Sequence, residues 1–149
     1  LEAKPFEEAQ SSLQLFEQGD ILFGAMRPYF HKVAIAPFHG VTRTTCFVFK
    51  PVRAELAAFA TMTVFEETTV AYANAHSQGA TIPYAVWEGS LSEMPLVMPP
   101  LDVATRFDSK VDPILGLISR SFFTLNNLRR TRDLLLPRLV SGNLVLSSQ

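Results

Sequence analysis

Residues 107–139, FDSKVDPILGLISRSFFTLNNLRRTRDLLLPRL, carry a row of side chains whose spacing alternates strictly between four and three residues. Only Ser121 and Arg132 in this row are not apolar. A 3.5-residue repeat kept over more than four heptads holds one narrow stripe toward a partner helix, as in coiled coils. The row therefore predicts a long helix that pairs with an antiparallel or dimeric partner. We call this row the seam, and it consists of Phe107, Val111, Ile114, Ile118, Ser121, Leu125, Leu128, Arg132, Leu135 and Leu139.

Prolines and capping residues predict the limits of this helix. It follows Pro99-Pro100, and Asp102 is predicted to be its N-cap. Asp112-Pro113 offers a second cap with a first-turn proline, so we expect the helix to restart or kink there. Pro137 is predicted to end the helix, and Gly142 to form the last turn.

Composition places the chain among globular proteins. Its 149 residues suffice for one domain with an appended element, and 48% of them are apolar, which supports a hydrophobic core. The single cysteine, Cys46, excludes an internal disulfide framework and is compatible with a reducing compartment. No apolar run approaches a membrane span, and the acidic N-terminus lacks the basic region of a signal peptide. We expect a cytoplasmic protein with no membrane partner.

Charges are segregated along the chain. The net charge is −4 in residues 1–20, +5 in 21–54, −6 in 55–105 and +4 in 106–149. The second block contains five cations and no acid. An electropositive patch is therefore plausible although the whole chain has a net charge of −1, and solvated strand edges are the alternative.

The N-terminal hundred residues predict an α+β fold with a small mixed or antiparallel sheet. Short apolar runs bounded by glycine and proline indicate strands, and helical periodicity follows them. Pro28 forces Arg27 out of the right-handed helical region, which predicts an irregular segment there. Gly79 permits a left-handed backbone in a predicted loop over residues 76–79. The predicted elements are an acidic helix or connector through residue 18, strands at 21–23, 33–36 and 45–49, a turn at 37–40, helices at 55–62 and 68–75, and strand-like runs at 84–87 and 96–98.

Motifs for catalysis are absent from the sequence. His31, His39 and His76 have no metal-ligand spacing, and no phosphate-binding glycine motif occurs. Residues 98–101, MPPL, lack both the amide or acid and the aromatic residue that amino-group methyltransferases have around their Pro-Pro pair. These absences favour a protein with no enzymatic activity, no metal and no cofactor, and a hydrolase or transferase is the open alternative.

Three stretches resemble, in the same order, the DNA-sequence specificity subunits of type I restriction-modification systems. The first stretch is residues 19–34, GDILFGAMRPYFHKVA. The second is residues 77–83, SQGATIP, followed by Leu91 and residues 94–101, MPLVMPPL. The third is residues 128–139, LRRTRDLLLPRL, with Ser141 and Gly142. The third stretch is the most specific.

The resemblance implies a target recognition domain over residues 1–100, incomplete at its N-terminus, a spacer and dimerisation helix over 101–142, and a tail over 143–149. The chain matches the C-terminal half of such a subunit. These subunits are not catalytic, and they position methyltransferase subunits, and through them a nuclease-translocase (restriction) subunit, on double-stranded DNA. The expected partner of the helix is a second recognition half or a second copy of this chain.

Reading a DNA sequence requires donors directed at base edges and cations directed at phosphates. The expected base contacts come from Arg27, Tyr29, His31, Arg43, Ser77 and Gln78, and the expected phosphate or sugar contacts from Lys32 and Thr44. The alternatives are an ion pair for Arg27, a core position for Tyr29 and Phe30, and a loop role for Ser77 and Gln78.

The partner surface of the helix is expected along the seam and at its arginine-rich end. Arg129 and Arg132 can also complement the negative end of the helix dipole without any partner. A dimerising adaptor that does not bind DNA is the competing hypothesis, and an enzyme would need a pocket that joins His76, Ser77 and an acid. The expected interface residues are Ile114, Ile118, Leu125, Leu128, Arg129, Arg132, Leu135 and Leu139.

Overall fold

The computed structural model describes residues 12–142 and shows an α+β fold, as the sequence predicts. The described residues form two small antiparallel sheets, three α-helices and several 3-10 turns. The strands are β1 (Leu13–Phe16), β2 (Ile21–Gly24), β3 (Val33–Ile35), β4 (Gly40–Arg43) and β5 (Cys46–Phe49), and the helices are α1 (Ala57–Phe65), α2 (Glu67–Ala75) and α3 (Leu101–Val140).

The centre of the fold is β2, which lies between β3 and β5 in the three-stranded sheet. Its residues Ile21, Leu22 and Phe23 are all buried, because a central strand covered on both faces needs apolar side chains in both directions. Phe23 packs in a cluster with Val70 and Ala73 of α2, whereas Leu22 packs with a second cluster on the opposite face. The sheet is therefore held between two small cores.

The predicted helix or connector before residue 18 is wrong within the described residues, because residues 13–16 form β1. This strand pairs antiparallel with β4, and Phe16 lies opposite Gly40. A Cβ atom at Gly40 would lie 2.8 Å from the Phe16 ring, so glycine makes this pairing possible. β4 differs from the predicted turn over residues 37–40, because Gly40 begins a strand that pairs with β1. Residues 1–11 lie outside the described part of the chain, as does the predicted tail at 143–149.

The two predicted helices before residue 76 are confirmed with shifted ends. The 3-10 turn Ala54–Leu56 leads into α1, which ends at Phe65. The backbone N–H of Ala58, in the first turn of α1, donates to the Asp108 carboxylate at 3.0 Å. A carboxylate at this end satisfies an N–H group that has no partner inside the helix.

The two predicted strand-like runs after Gly79 are wrong. Tyr84 forms only isolated bridges, and residues 96–98 form no strand. Pro95 and Pro99 flank the second run and have no N–H group to donate to a ladder. Neither run therefore extends a sheet.

α3 runs without interruption from Leu101 to Val140. The N–H groups of Val103 and Ala104 donate to the carbonyl of Pro100, so Asp102 lies inside the first turn and the predicted N-cap is wrong. The predicted restart at Asp112-Pro113 and the predicted end at Pro137 are also wrong, because both prolines lie inside the helix. An interior proline removes one hydrogen bond, and the bonded turns on either side keep the helix continuous. The chain nevertheless divides into two compact units between Asp112 and Pro113.

Gly79 has the left-handed backbone that the sequence predicts, with φ +96°. A Cβ atom there would lie 2.6 Å from the carbonyl oxygen of Ile82. We expect Gly79→Ala to lower the free energy of unfolding by about 1–3 kcal/mol, measured by urea titration. Gly19→Ala is the control, because Gly19 has φ +92° but no atom within 4 Å of the added Cβ. Equal losses at the two positions would contradict a role for the close approach to Ile82.

Candidate nucleic-acid interface

Tyr84 is the residue around which several predicted DNA-contacting residues meet. Its backbone forms antiparallel bridges with Met26 and with Gln78. The N–H of Arg27 donates to the carbonyl of Pro83 at 2.7 Å, directly beside the first bridge. Arg27 and Gln78, which are distant in sequence, therefore flank the same short segment.

The loop after β4 joins this cluster through the Tyr84 phenol, which donates to the backbone carbonyl of Thr44 at 3.1 Å. Thr44 is exposed, and so is the preceding Arg43 at the end of β4. Four of the eight predicted DNA-contacting residues thus belong to one neighbourhood. We call Arg27, Arg43, Thr44, Gln78 and Tyr84 the Tyr84 cluster.

The sequence did not indicate Tyr84 as a site residue, because its contacts come from residues 26, 44 and 78. Burial raises the pKa of the Tyr84 phenol, and the neighbouring Cys46 raises it further. A phenol is protonated at neutral pH even without this shift, so Tyr84 is a donor to Thr44. No local pattern of residues distinguishes such a tyrosine from one in an ordinary strand.

The turn Pro28–Phe30 displays two aromatic rings to solvent. Tyr29 is 51% exposed and Phe30 is 59% exposed, so a core position for either is wrong. Their ring centroids lie 4.7 Å apart, whereas Pro28 is fully buried and anchors the turn. Paired exposed rings of this kind suit stacking on an apolar or aromatic surface.

Both residues that flank this turn adopt left-handed backbone conformations. Arg27 has φ 51° and His31 has φ 49°, and neither is glycine. A left-handed conformation costs a residue with a Cβ about 1–2 kcal/mol. Arg27 leaves the right-handed helical region, as the following proline predicts, and strain of this kind clusters at functional sites.

His31 and Lys32 hold the turn through backbone carbonyls. The Nε2 atom of His31 lies 2.9 Å from the carbonyl oxygen of Phe65, and Lys32 Nζ donates to that of Met26 at 2.6 Å. Lys32 Nζ also lies 6.0 Å from the centroid of the Phe30 ring. A DNA contact by the bonded His31 nitrogen would require its bond to Phe65 to be exchanged. The Lys32 ammonium has three N–H donors, so it can contact a phosphate while it keeps its bond to Met26.

The loop after α2 contains two predicted base-contacting residues, Ser77 and Gln78, and their side chains have different roles. The Ser77 hydroxyl donates to the carbonyl of Asn74 at 2.7 Å, so its side chain stabilises the end of α2. Gln78 forms two backbone hydrogen bonds with Tyr84, at 2.9 and 2.7 Å, and Gln78 is exposed. Gln78 is therefore the stronger candidate for a base contact.

The cations of the acid-free segment, residues 21–54, differ in whether they are already paired with a carboxylate. Lys50 lies 3.2 Å from a Glu17 carboxylate oxygen and 3.6 Å from one of Asp20. The hydrogen bond to Glu17 is the largest cause that raises the Lys50 pKa. In contrast, no ion pair within residues 12–142 includes Arg27, so the predicted alternative of an ion pair is not found there.

The left-handed conformation of Arg27 gives a stability prediction. We expect Arg27→Gly to have a free energy of unfolding about 1 kcal/mol above that of Arg27→Ala, because only alanine retains a strained Cβ. Urea titration of both variants measures the difference. The same pair of substitutions at Arg43 is the control, where glycine should be the less stable variant because Arg43 lies in a strand. A less stable glycine variant at Arg27 would contradict a left-handed conformation in solution.

The second surface is the apolar row on α3. Its six leucine and isoleucine side chains between residues 114 and 139 are 41% to 61% exposed. Ser121, Arg129 and Arg132 are exposed as well, and Arg132 Nη2 lies 2.7 Å from an Asp133 carboxylate oxygen. The exposed seam residues are Ile114, Ile118, Leu125, Leu128, Leu135 and Leu139.

A cavity of about 490 Å³ lies beside β5 and α1 and is lined mostly by apolar side chains. Its polar lining consists of Lys50, Thr63, Thr69 and Ser92, and neither His76 nor Ser77 contributes to it. Burial raises the pKa of the Cys46 thiol, which disfavours the nucleophilic thiolate. The pocket that an enzyme hypothesis would need, with His76, Ser77 and an acid, does not coincide with this cavity.

Metal-binding clusters and membrane-spanning helices are both absent from residues 12–142. No group of three or more histidine, cysteine, aspartate or glutamate side chains is placed there to hold a metal ion. None of the helices in this part of the chain combines the length and apolar character needed to cross a membrane.

Comparison with protein-family models finds no match to this chain, and comparison with curated proteins finds none either. The resemblance to type I specificity subunits therefore rests on the three quoted stretches.

Proposed function

We propose that this chain is a non-catalytic, sequence-specific DNA-recognition subunit, or half of one, that positions methyltransferase and restriction subunits of a type I system on double-stranded DNA. The observation that carries the proposal is the Tyr84 cluster. It joins two exposed arginines and an exposed glutamine from three separate segments. Arginine and glutamine side chains make bidentate contacts with guanine and adenine in the major groove.

The chemistry of the surrounding surface supports the same role. The exposed rings of Tyr29 and Phe30 stand next to Arg27 on a turn that is fixed by internal hydrogen bonds. A fixed turn loses little conformational entropy on binding, so its contacts contribute more fully to affinity. Lys32, also exposed, adds a cation for the phosphate backbone.

The exposed seam supports a subunit that works within an assembly. A soluble protein rarely leaves such a long apolar row in contact with water. In the proposed complex, the row would bind a second recognition half or a second copy, and the arginine-rich end with Arg129 would face other subunits. The complex would act in the cytoplasm, and the chain itself would need no cofactor.

Co-purification with a type I methyltransferase subunit, followed by selection from a random DNA pool at fixed salt, tests this proposal. We expect a stable complex that enriches one sequence, with an affinity that falls as salt rises because phosphate contacts release counterions. A complex that enriches no sequence would contradict the recognition role.

The exposed seam also favours a second candidate, a dimerising adaptor that never touches DNA. The two candidates differ in DNA binding and in the expected effect of Arg43→Ala on it. For an adaptor, the wild-type assembly would show no salt-dependent affinity for DNA, and Arg43→Ala would change nothing. For a recognition subunit, Arg43→Ala would keep assembly but weaken specific DNA binding.

A further inference from the structure

The seam of α3 between residues 114 and 139 has an internal symmetry. Its midpoint lies between Leu125 and Leu128, and outward in both directions the order is the same: one apolar residue, one polar residue and two apolar residues. All of these residues are exposed, over about 38 Å of helix at 1.5 Å per residue. The pairs at equal distance from the midpoint are Leu125 with Leu128, Ser121 with Arg132, Ile118 with Leu135, and Ile114 with Leu139.

This symmetry has a direct consequence for pairing with an identical helix. In a twofold-symmetric interface, residue i of one copy meets residue j of the other, and residue j meets residue i. Two antiparallel copies of α3 centred on the midpoint would therefore bring each of these pairs into contact twice. Three pairs are apolar on both sides, and the single polar pair is Ser121 with Arg132.

We propose that the seam binds a second copy of this chain, antiparallel and centred between Leu125 and Leu128, with Ser121 opposite the partner's Arg132. The proposal rests on the assembly role in the proposed function and names the partner and the register of that same surface. It selects a second copy over an unrelated recognition half, because the symmetric pattern is matched by the chain itself.

Other alignments of the same two helices leave polar groups without partners. A parallel pair sets Arg132 against the partner's Arg132, which places two like charges in the seam. An antiparallel pair shifted by one heptad sets Arg132 against a leucine or isoleucine and leaves Ser121 against a leucine. A buried polar group without a partner destabilises an interface strongly, so one polar pair can specify both orientation and register.

Residues beside the seam are compatible with the proposed register. In an antiparallel pair of helices, the residues that flank the seam on one side face residues at the same heptad position of the partner helix. Here Phe122 lies beside the partner's Arg129, and Leu117 lies beside the partner's Arg138, so no two cations face each other. Arginine over an aromatic face is favourable, and Arg132 brings its own counter-ion in Asp133.

Single-cysteine cross-linking tests the register on the full chain. Cys46→Ser removes the native thiol, and Ser121→Cys and Arg132→Cys are then made separately. Under mild oxidation, each variant alone should stay uncross-linked, whereas an equal mixture should form a disulfide-linked pair, because only residues 121 and 132 face each other. Self-cross-linking of either variant, or no cross-link in the mixture, would overturn the proposal.

Light scattering supplies a test that does not depend on cysteine variants. The unmodified chain should have twice its single-chain mass of 16.6 kDa at micromolar concentration. Leu125→Asp should raise the dimer dissociation constant at least about 100-fold, because symmetry places the carboxylate in two central layers. Asn127→Asp is the matched control, since it adds the same charge to the same helix away from the seam, and it should leave the mass doubled.

These outcomes are separable from those of the proposed function. The unmodified protein could have a single-chain mass and still select a DNA sequence together with its methyltransferase subunit. That result would overturn the pairing and leave DNA recognition standing. A correctly cross-linked dimer that binds neither DNA nor a methyltransferase subunit supports the pairing and contradicts the proposed function.

Discussion

Phe23→Ala is expected to lower the free energy of unfolding by about 3–5 kcal/mol, the range for truncating a buried phenylalanine. Phe23 is only 2% exposed and occupies the middle sheet strand. Its ring stacks on Phe47 with centroids 6.2 Å apart and meets Phe49 edge-on at 6.5 Å. The substitution leaves a cavity between β5 and α2, and small domains have only about 5–15 kcal/mol of stability in total.

Urea titration followed by circular dichroism measures this loss. Phe30→Ala is the control of the same residue type, and because Phe30 is 59% exposed its loss should stay below about 1 kcal/mol. Phe23→Leu should recover part of the stability, since leucine fills part of the cavity. Similar losses for Phe23→Ala and Phe30→Ala would mean that β2 is not the centre of the core.

Arg43→Ala is expected to weaken specific DNA binding by the assembled complex by about 1–3 kcal/mol, or roughly 5- to 150-fold. Arg27→Ala should have an effect of similar size, because both residues belong to the Tyr84 cluster. If they contact bases, the variants should also relax sequence preference. Lys32→Ala should instead weaken binding to all sequences and lower the salt slope by about 1, as expected for a phosphate contact.

Fluorescence anisotropy with specific and scrambled duplexes at several salt concentrations separates these effects. Arg53→Ala is the matched control, since Arg53 is an exposed arginine of the same acid-free segment outside the Tyr84 cluster. Unchanged binding for Arg27→Ala, Arg43→Ala and Gln78→Ala together would remove the cluster as the recognition site.

The elements that sequence predicts well are those whose signal is local. Helical periodicity predicts α1, α2 and α3, and short apolar runs predict β2, β3 and β5. Strands β1 and β4 were missed because each is stabilised by the other, through a register in which Phe16 needs the open space at Gly40. The ends of α3 were misplaced because proline and aspartate rules describe average helices, and here hydrogen bonds on both sides of Pro113 and Pro137 keep the helix continuous.

The candidate site was predicted in part for the same reason. Cations and a loop glutamine can be identified in a sequence. Residues far away in the chain decide which of these side chains form internal bonds and which can contact DNA. Lys50 is engaged by Glu17 and Asp20, and Ser77 bonds its own helix end. Tyr84 brings the remaining candidates together through backbone bridges that no local pattern reveals.

By itself, the sequence determined the α+β class, the long C-terminal helix and the symmetric order of residues along its seam, because each follows from spacing within one continuous segment. Tertiary structure alone decided that Arg27, Gln78 and Thr44, which follows Arg43, meet at Pro83 and Tyr84. It also decided that the turn Pro28–Phe30 presents its rings to solvent between two left-handed residues. Such contacts join segments far apart in the chain, and their energies depend on packing that local propensity does not contain. The seam shows the opposite case, in which the pattern of one segment already contains the geometry of its proposed partner.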